Sequence, residues 1–245
     1  MKKQINDVDV NYINYGNKES QTIVLLHGWG QNIEMMKPIG DALKKEFNII
    51  IIDLPGFGES SEPTYVWKLS DYVDSVKTLL DDLKITNPIL IGHSFGGKIA
   101  LLYASKYSCQ KLVLFASPFK KEIKKLSLKT KILKTAKKIP GTDKLANFAK
   151  KHIGSTDYKN ASEMMRNILV EHVNLDLTNE VKKITAETLI VWGTNDEAVN
   201  YNDAYELEKL IPNAGVVIYE NCTHYAYLEN LKQTINVLNC FLRSE

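Results

Sequence analysis

Short, continuously apolar runs rich in β-branched residues alternate along the chain with longer stretches whose apolar residues recur at helical spacing. This alternation predicts parallel strands joined by crossover helices. The continuous runs are Thr22 to Leu26, Asn48 to Ile52, Ile89 to Gly92, Lys111 to Ala116, Thr188 to Trp192 and Val216 to Tyr219. Strands apolar on both faces belong in the buried centre of a sheet. Val8 to Tyr15 instead alternates, with Val8, Val10 and Tyr12 against Asp9 and Asn11, as a half-exposed antiparallel edge strand should. Ser70 is the expected cap of a helix that puts Tyr72, Val73, Val76, Leu79, Leu80 and Leu83 on one face, and Asn230 to Leu242 repeats that spacing with Leu231, Ile235, Leu238 and Phe241. The predicted fold class is α/β, a mostly parallel central sheet flanked by helices.

Roughly seventy residues separate the strand ending near Ala116 from the one starting near Thr188, far more than an ordinary connection. The expected organisation is therefore one core, residues 1–117 and 181–245, carrying an inserted helical cap over 118–180. Apolar residues at helical spacing through the insertion (Leu126, Ile132, Leu145, Met165, Ile168 and others) are expected to pack cap on core, with some facing the cleft.

Charge changes this picture in one place. The net charge of +2 conceals twelve lysines against Glu122 and Asp143 between Pro118 and Lys151, so that segment is near +10 and the remainder near −8. The basic run lacks the interleaved aromatics of a single-strand-binding surface, and arginine occurs only at positions 166 and 243, so no nucleic-acid partner is expected. A lysine-coated solvated face is the plain reading; by steering, the same lysines could draw anionic esters, acyl thioesters or a membrane surface. Cys109, Cys222 and Cys240 are odd in number and fit no metal spacing, which argues for reduced thiols and against zinc. With no apolar leader or spanning run, the expected location is cytoplasmic.

The candidate chemistry starts at Gly92-His93-Ser94-Phe95-Gly96, which follows the apolar strand Pro88 to Ile91 and opens a helical run from Gly97 to Ala104. A strand, sharp turn and helix is the context in which this motif holds a serine in a strained backbone conformation. Side chains two positions before and after the serine would collide there. The helix N-terminus and the Phe95 amide can stabilise an oxyanion.

With this motif in place, the chain resembles the α/β-hydrolase superfamily, and three further motifs carry the resemblance in the family's order. His27-Gly28-Trp29-Gly30 is similar to the oxyanion loop, and Asp53-Leu54-Pro55-Gly56-Phe57-Gly58-Glu59-Ser60 to the turn after the next strand; neither is catalytic by side chain. Trp192-Gly193-Thr194-Asn195-Asp196-Glu197 resembles the acid loop, and Asn221-Cys222-Thr223-His224-Tyr225-Ala226 the histidine loop. The resemblance implies Ser94 as nucleophile, His224 as general base, Asp196 as the orienting acid, and the amides of Trp29 and Phe95 as the oxyanion hole. His27 reads as a loop-packing residue and Glu197 as a solvated neighbour of the acid. His93, expected to point away from the nucleophile, reads with His152 and His172 as a hydrogen-bonded structural histidine.

The implied reaction is hydrolysis of a small or medium carboxylic ester or thioester through an acyl-enzyme, with no metal or organic cofactor. A serine at the elbow excludes the aspartate-dependent dehalogenase and epoxide-hydrolase branches. Carbon-carbon hydrolases of the family commonly show asparagine before the serine and tryptophan after the histidine, from which His93 and Tyr225 depart. A slow ligand-binding receptor, a lyase, an acyltransferase and a carbon-carbon bond hydrolase using the same triad remain the alternatives.

Overall fold

The computed structural model describes residues 1–121 and 161–243. Their strands are β1 (Lys2–Ile5), β2 (Val8–Gly16), β3 (Thr22–Leu26), β4 (Asn48–Ile52), β5 (Ile89–His93), β6 (Lys111–Phe115), β7 (Glu187–Gly193) and β8 (Ala214–Tyr219). They form one sheet in the order β1-β2-β4-β3-β5-β6-β7-β8, antiparallel only where β2 meets β1 and β4. The α/β expectation holds, and the continuous apolar runs are central parallel strands except Val216 to Tyr219. That run lies in β8 at the far edge of the sheet, with Val216, Val217 and Ile218 only half-buried because no strand among the described residues covers that side.

Two expectations about β2 and its neighbours need correction. Val8 to Tyr15 is not an edge. Its first half pairs with Lys2–Ile5 and its second with Ile49–Ile52, so β1 is the edge strand. Lys2, Lys3 and Gln4 are exposed, and their charge is what an edge strand carries to discourage pairing with another chain. Nor does Ser70 cap the following helix: α2 (Leu69–Asp82) starts two residues earlier, capped at Lys68, whose amide donates to Asp71 Oδ2 at 2.7 Å. An acid in the first turn does the satisfying that a cap hydroxyl was expected to do.

Alternate residues of each central strand enter separate cores. Val24, Leu26, Ile50, Ile52, Leu90 and Leu112 meet α2, α3 (Phe95–Lys106) and α6 (Asn202–Leu210) on one face. Ile23, Leu25, Ile49, Ile51, Ile91 and Val113 meet α1 (Ile33–Leu43) and α8 (Leu231–Arg243) on the other. Between β6 and β7 the described helices are α4 (Glu163–Asn174) and α5 (Thr178–Val181); α7 (Ala226–Glu229) precedes α8. Residues 122–160 of the expected cap, with Leu126, Ile132, Leu145, His152 and nearly all the lysine run, lie outside the described residues.

Strand order reverses at β3, which lies between β4 and β5, and the loops after β3, β5, β7 and β8 leave the same edge of the sheet. Open α/β sheets bind ligands at such a switch point. One buried carboxylate fastens that edge. Asp53, just past β4, accepts from Ile33 N at 2.7 Å, Asn11 Nδ2 at 2.8 Å and Glu59 N at 2.9 Å, tying α1, β2 and the following turn together. Asp53→Ala would strand all three donors, a loss of about 3–5 kcal/mol on the usual cost of unsatisfied buried groups. Denaturant unfolding checks this; a midpoint shift equivalent to under about 1 kcal/mol would show that the carboxylate is not the fastener.

Candidate active site

Backbone passes close over backbone where β5 turns into α3. Ser94 takes φ 50° and ψ −110°, in a left-handed region costly for a residue with a side chain, and its amide is held by Phe115 O at 2.9 Å. A side chain at Gly92 would overlap the backbone of Gly96 and Gly97, and one at Gly96 the carbonyls of Leu26 and His27. The first turn of α3 therefore lies directly against the exit of β3. That exit forms a β-turn, Gln31 N donating to Gly28 O at 3.3 Å, with Gly30 at φ 72° in its third position.

The side chains of the two expected oxyanion residues meet: the Trp29 and Phe95 rings are 5.2 Å apart, edge to face. The Phe95 amide lies in the first turn of α3, where a helix has no acceptor of its own to offer. His27, buried, accepts from Leu54 N through Nε2 at 2.9 Å while its Nδ1 lies 2.7 Å from Gly28 O, so it braces two loops as expected of a packing residue.

Asp196 and His224 come together across 28 residues of sequence by a ladder between the loops after β7 and β8. Thr194 N donates to Tyr219 O at 3.1 Å, Asn195 N to Cys222 O at 2.9 Å, and Asn221 N to Thr194 Oγ1 at 2.9 Å. Any side chain at Gly193 would strike the Cys222 and Thr223 carbonyls. Asp196 Oδ1 accepts from Ala198 N at 2.8 Å and Val199 N at 2.9 Å, which leaves Oδ2 for His224 Nδ1 at 2.7 Å. The carboxylate side chain is fully buried and the imidazole one-sixth exposed. Glu197, exposed, takes no part.

Residues not singled out in the sequence fix the His224 loop. Glu229 accepts from Thr223 N at 2.7 Å and also from its hydroxyl. Gln31 accepts from Gly28 N at 3.1 Å and donates to Tyr225 Oη at 3.1 Å, joining the β3 turn to the histidine loop. A search by motif finds neither, because each serves through a tertiary contact. His93 turns inward beneath His224, with Nε2 donating to the His224 carbonyl at 3.1 Å and the two rings 4.8 Å apart. Since His93 immediately precedes Ser94, this bond sets the histidine loop at the mouth of the elbow.

His172, on α4, departs from the expectation of a hydrogen-bonded histidine. It is 3% exposed, and among the described residues neither ring nitrogen has a hydrogen-bond partner. Its surroundings are rings: Phe95 at 4.7 Å, Tyr72 at 5.4 Å and Trp29 at 6.4 Å. A fourth ring, Phe57, lies 4.8 Å from Trp29. Met165, also on α4, covers Gly56.

Burial holds the pKa of His27 down to about 4 and those of His93 and His172 down to about 3, because the charged ring would lose its hydration. The unfolded chain then binds more protons than the native one from pH 6.5 downward, so stability falls as pH drops. Near pH 5 the three rings together contribute a slope of about 4 kcal/mol per pH unit. His172→Phe forfeits no hydrogen bond, should be as stable as the parent at pH 7, and should lessen that slope by about one proton, or about 1.4 kcal/mol per pH unit. Unfolding titrations from pH 7 to 4.5 measure it; an unchanged slope would mean His172 is not buried as a neutral ring.

Comparison with known proteins bears on the same arrangement. The alpha/beta hydrolase fold profile matches residues 21–128 and 131–231. The AB hydrolase superfamily protein YisY of Bacillus subtilis (strain 168) is 29% identical over 244 residues, covering 88% of this chain and 89% of that protein. Lipase 3 of Moraxella sp. (strain TA144) is 26% identical, covering 94% and 80%. Among solved structures, the enol-lactonase from Burkholderia xenovorans LB400 aligns with a TM-score of 0.80 at 21% identity over 100% of both chains, a likeness of fold. A profile match over most of the chain, on a sheet of this order with an elbow of this geometry, makes the protein a member of the α/β-hydrolase family.

Proposed function

We propose that the protein is a serine hydrolase of small or medium carboxylic esters or thioesters, with Ser94 as nucleophile, His224 as base and Asp196 as the acid that orients it. The observation that carries this reading is the 2.7 Å bond from His224 Nδ1 to a carboxylate whose other oxygen is occupied by two amides. With Nδ1 donating, the lone pair is on Nε2, the tautomer a general base needs.

In this mechanism His224 Nε2 takes the Ser94 hydroxyl proton as Oγ attacks the acyl carbon. The carbonyl oxygen becomes an oxyanion, received by the Trp29 amide of the β3 turn and the Phe95 amide at the start of α3. The imidazolium, stabilised by the Asp196 carboxylate, returns the proton to the leaving alcohol or thiol. Water then enters, gives a proton to His224, and attacks the acyl-enzyme; collapse releases the acid and restores Ser94. No step in this cycle needs redox chemistry.

Substrate class follows from the walls. Half-buried Trp29 and Phe57, with buried Phe95 and Met165 of α4, form an apolar cluster beside the elbow, which would suit an acyl chain and be poor for a charged one. The lipase among the relatives is in keeping with an apolar acyl group.

The test is pre-steady-state turnover of an activated short-chain ester. Wild type should show a burst and label with a fluorophosphonate. Ser94→Ala should lose both, and His224→Ala and Asp196→Asn should lower kcat about 10³-fold or more while each retains fold and ester binding. A wild-type protein that neither bursts nor labels, or a Ser94→Ala variant that still turns over, would overturn the assignment.

A further inference from the structure

Lys98 is a buried cation in an apolar helix. It lies in α3 among Ile99, Leu101 and Leu102 on a chemically unpromising stretch, and is only 3% exposed. Lysine is almost never fully buried unless paired, and burial here pulls its pKa down to about 8, so packing alone gives no reason for it. Its partners are not on its own helix. Nζ donates to His172 O at 2.7 Å and Leu175 O at 2.9 Å, the carbonyls that close the last turn of α4. A cation at a helix C-terminus meets both unsatisfied carbonyls and the negative end of the dipole.

The position of this contact gives it meaning. Lys98 N donates to Ser94 O at 3.0 Å, so the same residue is one helical turn from Ser94 at its backbone and bound to α4 at its tip. The turn of α4 that it holds carries His172, whose ring packs on Phe95, Tyr72 and Trp29. Along the rest of α4, Met165 and Ile168 pack in the core, and at its start Ser162 Oγ donates to Glu62 at 2.8 Å in an exposed contact. Exposed hydrogen bonds to charged groups compete with water, whereas buried charged ones do not.

We propose that Lys98 is a positioning residue that latches α4 onto the nucleophile helix and so fixes the depth of the apolar acyl site, a role that rests on the serine-hydrolase reading for its effect on turnover. The latch acts through α4 and touches no reacting atom. Without it α4 keeps its side chains but loses the bonds that set its height over Phe95, so a longer acyl chain loses its wall while a short one, seated at the elbow, does not.

Two readouts on Lys98→Met, Lys98→Arg and Glu62→Ala test the latch. The first is amide hydrogen exchange over residues 163–175. The second is kcat and KM for p-nitrophenyl acetate and hexanoate. Lys98→Met should exchange about tenfold faster in α4 with α2 unchanged, and its KM for hexanoate should rise about tenfold with kcat for acetate within about twofold. Lys98→Arg, which keeps a cation and donors, should recover most of both, and Glu62→Ala should change either by less than about threefold. Unchanged exchange in α4, equally faster exchange in every helix, or equal losses on acetate and hexanoate would overturn the proposal. If Lys98→Met does not fold, Lys98→Gln is read by the same criteria. Should wild type neither label with fluorophosphonate nor cleave esters, the hydrolase reading fails by itself, and exchange in α4 still decides whether the latch exists.

Discussion

The close passage of the first turn of α3 over the ends of β3 and β5 is the constraint on which the rest of the site depends. Backbone meets backbone at Gly92, Gly96 and Gly97, and Ser94 is held at φ 50° between them. A non-glycine residue in that conformation costs of order 1–3 kcal/mol, and it persists because the surroundings leave no alternative. Ser94 N is fixed by Phe115 O, and Lys98 N closes the helix back on Ser94 O. The strain turns the serine out of the sheet and leaves the amides of the first turn unused. It also brings the β3 turn into contact, so the two expected oxyanion donors come from segments more than sixty residues apart.

The same edge of the sheet receives the acid and the histidine, but by a different device. No tight helix start holds them; a ladder of hydrogen bonds between two loops does, with Gly193 allowing the close approach. Buried amide bonds each contribute only about 1 kcal/mol net, yet leaving one unmade costs more than that, so the ladder is a strong specification of register between the loops. Asp196 uses three of its acceptor sites on fixed partners, and the imidazole is oriented as a consequence.

Much of this was legible because it is local. The apolar runs announced the central strands through burial on both faces, and the elbow through glycines whose role is steric. What the chain did not disclose is non-local or carries no periodic signal. Four residues, Lys2–Ile5, form an edge strand too short and too charged to stand out. Gln31 and Glu229 brace the histidine loop through contacts that spacing cannot reveal. His172 broke the expectation of a satisfied ring because its environment is assembled from α2, α3 and the β3 turn, none of which is its neighbour in sequence. No local signal marks Lys98 as a buried cation; only the arrival of α4 makes it one.

These aromatic contacts join the proposed oxyanion residues to α4. The residues whose amides are assigned to the oxyanion, Trp29 and Phe95, have side chains that form the floor on which α4 rests through His172. Of these contacts Trp29–Phe95 is edge to face, a pairing that contributes about 0.5–1.5 kcal/mol beyond its buried area, while the two rings meet His172 at a tilt. The Phe95 amide is aimed by the first turn of α3 and not by its ring, so a shift of α4 alters the apolar wall while the amide stays in place. The sheet isolates the other two partners from that disturbance, because Asp196 and His224 are braced by β7, β8 and Glu229 and make no ring contact with α4 among the described residues. Loosening α4 is then expected to be felt by the longer acyl chain it would cover, leaving the oxyanion amides and proton transfer on the histidine side intact.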